Sequence, residues 1–201
     1  TVGKPISKNL GMFIKKNKSE IKIKKPWPGC LIDVINNKKL FYEYWDEHNN
    51  FRLFDLASYD KNKNFIIHGR LDDVINIRGH RIGSAEIESL LLKINHIKEV
   101  CAVSIDDILS GKKLIIFLVA QNKENLTKKV ESIIFKNFGS FALPEKIIFL
   151  NELPKTRSGK ILRRVLRDLY LDPQTKKIGD LSTILNKKVI SDIRRTLKNI
   201  N

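Results

Sequence analysis

The sequence has few of the features that mark several large classes of protein. It contains two cysteines, Cys30 and Cys101, which lie far apart and have no neighbouring metal ligands. We therefore expect reduced thiols, with Cys101 in the core, and neither a disulfide nor a cysteine metal site. No apolar run is long enough to span a bilayer, and no basic-then-apolar leader is visible. We expect a cytoplasmic protein that does not bind membranes.

The sequence also lacks two kinds of motif, a glycine-rich phosphate-binding loop and a metal-binding arrangement of histidines. No glycine-rich phosphate loop ends in Gly-Lys-Ser or Gly-Lys-Thr. The chain has four histidines, His48, His68, His80 and His96. Their spacing places no two of them on one face of a helix and pairs none of them with a cysteine. We therefore predict no metal site built from protein ligands.

Acidic residues are scarce beside basic ones. The chain has 38 Lys and Arg against 22 Asp and Glu, a formal net charge of +16. Such an excess favours polyanion binding. The lysines, however, recur throughout the chain among Asn and Ile, as at 15–18 and 61–64. This spread is typical of a global compositional bias, so we expect no nucleic acid partner.

The most informative stretch is residues 153–161, Leu-Pro-Lys-Thr-Arg-Ser-Gly-Lys-Ile. Pro154 ends an apolar strand, Gly159 frees the backbone, and the periodic run from Ile161 predicts a helix. Lys160 is therefore expected at a loop-to-helix junction. An ammonium there can lie over phosphate oxygens whose charge grows during substitution at phosphorus. The alternative is a solvated lysine in a basic surface turn.

The apolar patterns divide the chain into two parts. Up to about residue 69, short apolar runs separated by Asn and Lys turns, such as 30–35 and 65–68, predict β structure. From residue 74 onward, mixed helices and strands predict a compact α+β domain with helices covering a small sheet. The predicted elements are a hairpin (74–82), helices (84–94, 126–138 and from 161) and strands (97–105, 113–120 and 146–150).

Two of the predicted helices carry more specific expectations. Ser84 is predicted to be the N-cap of its helix, with Glu86 and Glu88 favourably placed in the first turn. The helix at 161–171 has an apolar face, and three arginines lie opposite that face: Arg163, Arg164 and Arg167. We expect this helix to pack on its own domain with its arginines in solvent.

Four blocks of sequence carry a family resemblance in one consistent order: 27–29, 69–88, 153–161 and 178–184. Together they resemble the adenylate-forming superfamily, specifically its AMP-forming acetyl-CoA and propionyl-CoA synthetases. The resemblance implies that residues 1–71 are the β-rich end of a large AMP-binding domain, and that 72–201 are a mobile α+β C-terminal domain. It also implies ATP, CoA, Mg²⁺ and acetate or propionate as cofactors and substrates. A missing N-terminal domain would hold the acyl pocket, so we expect the chain alone to be inactive.

The resemblance implies nucleotide roles for four matching residues. Lys160 corresponds to the lysine that binds acetate and the α-phosphate while the acyl-adenylate forms. Asp55 occupies the place of an aspartate that holds both ribose hydroxyls, although Phe54 replaces the usual glycine before it. Arg70 and Arg81 match arginines that contact the nucleotide and its phosphate, a role that suits a guanidinium.

The remaining matches concern the hinge and the thiol acceptor. Asp72 corresponds to the hinge about which the C-terminal domain turns between two catalytic conformations. Gly79 would line the pantetheine tunnel, or serve only the turn between two strands. Arg78 stands where acetate-activating enzymes usually carry a small residue. The segment 77–79 with its arginine resembles instead the carrier-protein-loading members of the superfamily. Phe135 replaces an arginine for the CoA nucleotide, and Lys136 beside it is our candidate substitute.

Three functions follow as hypotheses. The leading one is an AMP-forming short-chain acyl-CoA synthetase, present here as its C-terminal portion. The second is a stand-alone, non-catalytic module that binds adenine nucleotide or CoA. The third, suggested by Arg78, is an adenylation enzyme that loads a carrier protein.

Overall fold

The computed structural model describes residues 3–5, 11–16, 18–24, 26–71, 74–108, 111–176, 178, 181 and 184–200. The chain forms two compact units, Thr1–Val74 and Ile75–Asn201. Asp72 and Asp73 lie outside the described residues. The domain boundary placed between residues 71 and 72 therefore stays a prediction, as does the hinge role of Asp72.

The first unit is built on a four-stranded antiparallel sheet whose strands are adjacent in chain order. The strands are β1 (Met12–Phe13), β2 (Ser19–Ile23), β3 (Phe51–Tyr59) and β4 (Phe65–Arg70). A small core cluster of this unit is formed by Ile21, Ala57 and Phe65, which are 5% exposed or less. The strand predicted at 65–68 is thus confirmed.

The apolar run at 30–35 is not a strand, contrary to the prediction. Ile32 and Ile35 are each 88% exposed, so the described unit offers them no surface to pack against. The next segment forms helix α1 (Lys38–Glu43), which was not among the predicted elements. The side chain of Asn37 caps this helix by accepting a backbone N–H of its first turn.

The turn before β3 is organised around Asp46. Its carboxylate accepts hydrogen bonds from the backbone N–H groups of His48 and Asn50, both at 2.9 Å, and lies 2.7 Å from the ammonium of Lys22. Burial raises the pKa of Asp46, but the hydrogen bonds from Lys22, Asn50 and His48 together outweigh it. They hold the pKa of this carboxyl well below its usual range.

Acid should therefore destabilise the first unit through Asp46. Because the pKa of Asp46 is lower in the folded than in the unfolded chain, its stabilisation is present above the unfolded value of about 3.8. This stabilisation is lost as the pH falls through the pKa that Asp46 has in the folded chain. We expect Asp46→Asn to be less stable than wild type near neutral pH, and the two to converge in acid. Thermal unfolding over a pH series measures this; parallel curves would refute it. Glu43→Gln, which removes an exposed carboxylate, should keep the wild-type pH dependence.

The described residues of the second unit form a hairpin, a three-stranded sheet and four helices. The hairpin consists of β5 (Val74–Ile77) and β6 (His80–Gly83). In the sheet, β8 (Gly111–Ala120) is antiparallel to β7 (Ile97–Asp107) and parallel to β9 (Lys146–Phe149). The helices are α2 (Ser84–Leu91), α3 (Leu126–Phe138), α4 (Arg163–Leu171) and α5 (Lys188–Lys198), with a short 3₁₀ helix at Ser140–Ala142. The predicted α+β class is confirmed.

Helices cover both faces of this sheet. Along β7 and β8, successive side chains enter opposite cores because they point to opposite sides of a strand. Cys101 and Phe117 belong to the core with α4 and α5, whereas Ala102 and Ile116 belong to the core with α2 and α3. Cys101 is fully buried in the core with α4 and α5, as predicted. Among the described residues, no helix combines the length and apolar character needed to cross a lipid bilayer.

One predicted helix cap and one predicted helix start are wrong, although α2 begins at Ser84 as predicted. Gly83, not Ser84, is the N-cap of α2; Ser84 is buried within the helix, and no side-chain cap is formed. Helix α4 begins at Arg163 and not at Ile161, because Ile161 forms a β-bridge with Lys155. By contrast, α3 has the predicted bounds at both ends.

Candidate functional site

Lys160 lies at the end of a tight loop that closes on itself. Lys155 and Ile161 form an antiparallel bridge across its base. Within it, the N–H of Thr156 donates to the carbonyl of Lys160 at 2.9 Å, and the N–H of Lys160 donates to the Thr156 hydroxyl at 3.1 Å. Gly159 adopts a left-handed φ of +83° at the tip. The backbone of Lys160 is thus fixed, although the lysine precedes α4 by three residues and does not adjoin it as predicted.

The side chain of Lys160, in contrast to its backbone, is exposed. Within the described part of the chain it has no hydrogen-bond or ion-pair partner. Arg157, in the same loop, is exposed as well. An ammonium on a fixed backbone can meet an anion without first breaking an existing pair, which keeps the cost of reorganisation low.

A partly buried ion pair holds the start of α4, shortly after the loop. Arg163 donates to Glu88 of α2 from Nε at 3.2 Å and from Nη2 at 2.5 Å. Glu88 is 8% exposed and also accepts the N–H of Ala102 at 2.9 Å. The prediction that the arginines of this helix face solvent is therefore wrong for Arg163. It fits Arg164, whose side chain is 80% exposed.

Sequence reasoning missed this pair because its members are 75 residues apart. The available signal was the position of Glu88, one residue after Ile87 and three before Leu91, on the face of α2 that is buried. A carboxylate among core positions needs a cationic partner. Arg163 at the start of α4 supplies it.

Asp55 and Arg70, both predicted nucleotide contacts, are neighbours in the first unit. They are paired in register on β3 and β4, and the guanidinium lies 3.7 Å from the carboxylate. Arg70 also donates to the carbonyl of Leu53 at 3.2 Å. Their side chains are 35% and 47% exposed, so both remain accessible to a ligand.

Phe54, at the position where the family resemblance leads us to expect glycine, has a glycine-like backbone. Its φ of +57° lies in the left-handed region, at a cost of about 1 kcal/mol for a residue with a Cβ. The ring packs edge-on against Tyr44 at 5.4 Å and lies 4.6 Å from the guanidinium of Arg52 and 6.0 Å from that of Arg70. These contacts oppose the strain of Phe54 within β3, immediately before Asp55.

The hairpin turn that joins β5 to β6 is formed by Arg78 and Gly79. Their φ values are +49° and +82°, the pattern of a type I′ turn. A Cβ added at Gly79 would meet no heavy atom within 4 Å, so the backbone conformation, not crowding, requires glycine here. The next residue, His80, stacks on Phe141 with ring centroids 3.9 Å apart. Arg81 is exposed on β6.

Two adjacent cavities lie beside this turn. The first, of about 250 Å³, is lined by Arg78, Lys112, Lys113 and Glu145 among others. The second, of about 440 Å³, is lined partly by Phe135. The cavities share Leu143 and Pro144. Lys136, the candidate substitute for the missing arginine, is exposed on α3 and lines neither of them.

Backbone strain in this hairpin turn predicts that substitutions at Arg78 and Gly79 change the stability of the chain in opposite directions. Gly79→Ala should destabilise the chain by about 1 kcal/mol, because a Cβ disfavours a positive φ even in open space. Arg78→Asn should stabilise it, because asparagine tolerates this region better than arginine. Urea unfolding of both variants measures the difference. If Gly79→Ala were as stable as wild type, the turn assignment would be wrong.

No group of three or more His, Cys, Asp and Glu side chains in the described ranges is placed to hold a metal ion. The Mg²⁺ implied by the resemblance stays a prediction.

Comparison with known proteins identifies the relatives of the chain. Residues 86–160 match the family described as AMP-binding enzyme C-terminal domain. The chain is 34% identical over 189 residues to acetyl-coenzyme A synthetase 1 of Kluyveromyces lactis, covering 88% of this chain and 27% of that protein. It is 36% identical over 190 residues to the acetyl-coenzyme A synthetase of Campylobacter jejuni, covering 88% and 29%.

The fold has solved counterparts as well. ATP-bound MatB from Rhodopseudomonas palustris superposes with a TM-score of 0.69 at 20% identity, over 81% of this chain and 32% of that one. At that identity the likeness concerns the fold alone. The chain spans less than a third of the length of the two curated relatives, 27% and 29%.

Proposed function

We propose that the chain is the C-terminal portion of an AMP-forming short-chain acyl-CoA synthetase, because residues 86–160 match the family described as AMP-binding enzyme C-terminal domain. The reaction joins acetate, ATP and CoA into acetyl-CoA, AMP and pyrophosphate, with propionate as second substrate. Two relatives named acetyl-coenzyme A synthetase, 34% and 36% identical over most of this chain, support the substrate class.

The observation that carries the proposal is the state of Lys160. Its backbone is held by the loop, while its ammonium is exposed and has no partner in the described residues. During adenylation a carboxylate oxygen attacks the α-phosphorus and pyrophosphate leaves. Negative charge is redistributed over the phosphate oxygens, and a preorganised cation lowers the barrier without any proton transfer. We assign this role to Lys160.

Three further residues are proposed to bind the nucleotide. Asp55 would accept hydrogen bonds from the two ribose hydroxyls, since its carboxylate is partly exposed on β3. Arg70 beside it would contact the nucleotide. Arg81, exposed on β6, would bind a phosphate through its guanidinium. Asp72, the proposed hinge, lies outside the described residues.

The thiol acceptor is proposed to approach at the hairpin turn. Gly79 has open space above its Cα, which suits close passage of a pantetheine arm. Arg78 and Lys136 are exposed cations that could bind the phosphates of CoA. Arg78 also supports a second candidate, transfer to a phosphopantetheinyl carrier protein, because its exposed guanidinium stands at the rim of a cavity.

The test is acetate-dependent exchange of labelled pyrophosphate into ATP by the longer native polypeptide that carries this chain. We expect exchange with acetate, weaker exchange with propionate, and none from residues 1–201 alone. Thioester formation on CoA in preference to a carrier protein would separate the two acceptors. If the longer protein were inactive and residues 1–201 bound AMP or CoA tightly by calorimetry, the stand-alone binding module would take the place of the ligase.

A further inference from the structure

An ion pair ties the loop that carries Lys160 to the sheet of the second unit. The ammonium of Lys155, at the base of the loop, lies 2.6 Å from Oε1 of Glu99 on β7, and each side chain is 25% exposed. The second oxygen of Glu99, Oε2, is buried and has no hydrogen-bond partner in the described residues. Lys155 is thus the group that offsets the charge of this carboxylate.

The effect of this pair reaches Lys160 through the backbone. Lys155 faces Ile161 across the base of the loop, and Ile161 directly follows Lys160. Thr156, which follows Lys155, is hydrogen-bonded to Lys160 in both directions, at 2.9 and 3.1 Å. A shift of Lys155 would therefore move both segments that hold Lys160.

We propose that Glu99 is a positioning residue for Lys160. It touches no substrate; it fixes Lys155, and through the loop backbone it fixes the point from which the Lys160 ammonium reaches the phosphate. A misplacement of about 1 Å can reduce the rate of an enzyme step about 100-fold. The inference rests on the proposed function only in assigning adenylate formation to Lys160.

Two acid-to-amide variants of the longer native protein test the proposal. Glu99→Gln keeps the size of the side chain and removes its charge. Glu124→Gln is the matched control, because Glu124 is exposed. We expect Glu99→Gln to lower kcat for acetate-dependent exchange by about 10- to 100-fold while the KM for ATP changes little. Thioester formation from preformed acetyl-adenylate should keep its wild-type rate. The control should match wild type in both half-reactions.

A charge swap separates positioning from general stability. The double variant Glu99→Lys with Lys155→Glu restores opposite charges at the same place, so it should recover part of the exchange activity that each single variant loses. A merely structural defect would lower both half-reactions and the unfolding temperature together, and that result would overturn the positioning role.

Native-state proteolysis provides a readout that does not depend on activity. Trypsin cleaves after Arg157, which is exposed in the loop. Loosening the loop should increase cleavage there in Glu99→Gln, whereas Glu124→Gln should be cut at the wild-type rate. Equal rates of cleavage in Glu99→Gln and wild type would show that the ion pair of Glu99 with Lys155 does not hold the loop, and would overturn the proposal.

The outcomes separate this inference from the proposed function. Normal exchange in Glu99→Gln, in a protein that Lys160→Ala inactivates, would overturn the role of Glu99 and leave the function standing. Normal exchange in Lys160→Ala would remove the role assigned to Lys160, whereas the absence of acetate-dependent exchange in the wild-type protein would remove the proposed function. In either case the rate of cleavage after Arg157 would still decide whether Glu99 holds the loop.

Discussion

Replacing Lys160 with alanine in the longer native protein should slow adenylate formation by about 100- to 1000-fold, the loss expected when one preorganised electrostatic group is removed. The loop should remain folded, because its hydrogen bonds use the backbone of Lys160 and not its side chain. Acetate-dependent pyrophosphate exchange measures the loss. Acetyl-CoA formation from preformed acetyl-adenylate should keep its wild-type rate, because that step does not need the lysine.

The matched control for Lys160→Ala is Arg157→Ala. It removes a positive charge from the same exposed loop, three residues away. We expect exchange to stay near the wild-type rate in this control. Equal losses in the two variants would mean that the loop acts through its overall charge, and the specific role of Lys160 would have to be abandoned.

Arg163→Met should produce the largest loss of stability among the side chains near the loop. It leaves the Glu88 carboxylate, 8% exposed, without its cationic partner. Removing one member of a fully buried ion pair costs about 3 to 5 kcal/mol, and because the Arg163 side chain is 26% exposed we expect a loss near the lower end of that range. Urea unfolding of the chain measures the change in the free energy of unfolding.

Two comparisons sharpen this prediction. Arg164→Met removes a neighbouring arginine whose side chain is 80% exposed, and it should change stability by less than about 0.5 kcal/mol. Adding Glu88→Gln to Arg163→Met should recover part of the stability, because no unpaired charge then stays buried. If Arg163→Met were no worse than Arg164→Met, the pair would not hold α4.

The fold of the second unit could be predicted where the apolar period and the end signals agree. In α3, Leu126, Val130 and Ile134 recur at helical spacing and are buried, and Gly139 ends the helix with a φ of +94°. Helix α5 carries a comparable signal in Val189, Ile190, Ile193 and Leu197, yet it was absent from the predicted elements. The apolar periodicity of residues 189–197 is therefore sufficient to predict this helix.

Other features could not be predicted from local pattern. The run at 30–35 has strand-like composition, but a strand needs a partner, and Ile32 and Ile35 lie exposed. Ser84 has the chemistry of a cap, yet it is buried inside α2, where packing overrides cap preference. Both errors arise because tertiary contacts, and not residue type, decide the outcome.

In the candidate site, too, local features could be predicted and long-range contacts could not. Lys160 could be found because its loop is local: a proline, a glycine and a lysine within seven residues. The ion pairs of Glu88 with Arg163 and of Glu99 with Lys155 join residues 75 and 56 positions apart, so they depend on the fold. The ligand roles of Lys160 and Asp55 stay predictions until they are tested.

The most direct test is product analysis of the native polypeptide that contains the lysine loop, isolated from its own cells and supplied with acetate, ATP and CoA. Our account predicts acetyl-CoA, AMP and pyrophosphate in equal amounts from a polypeptide several times larger than this domain. Formation of ADP and phosphate in their place, or no product that depends on acetate, would contradict it.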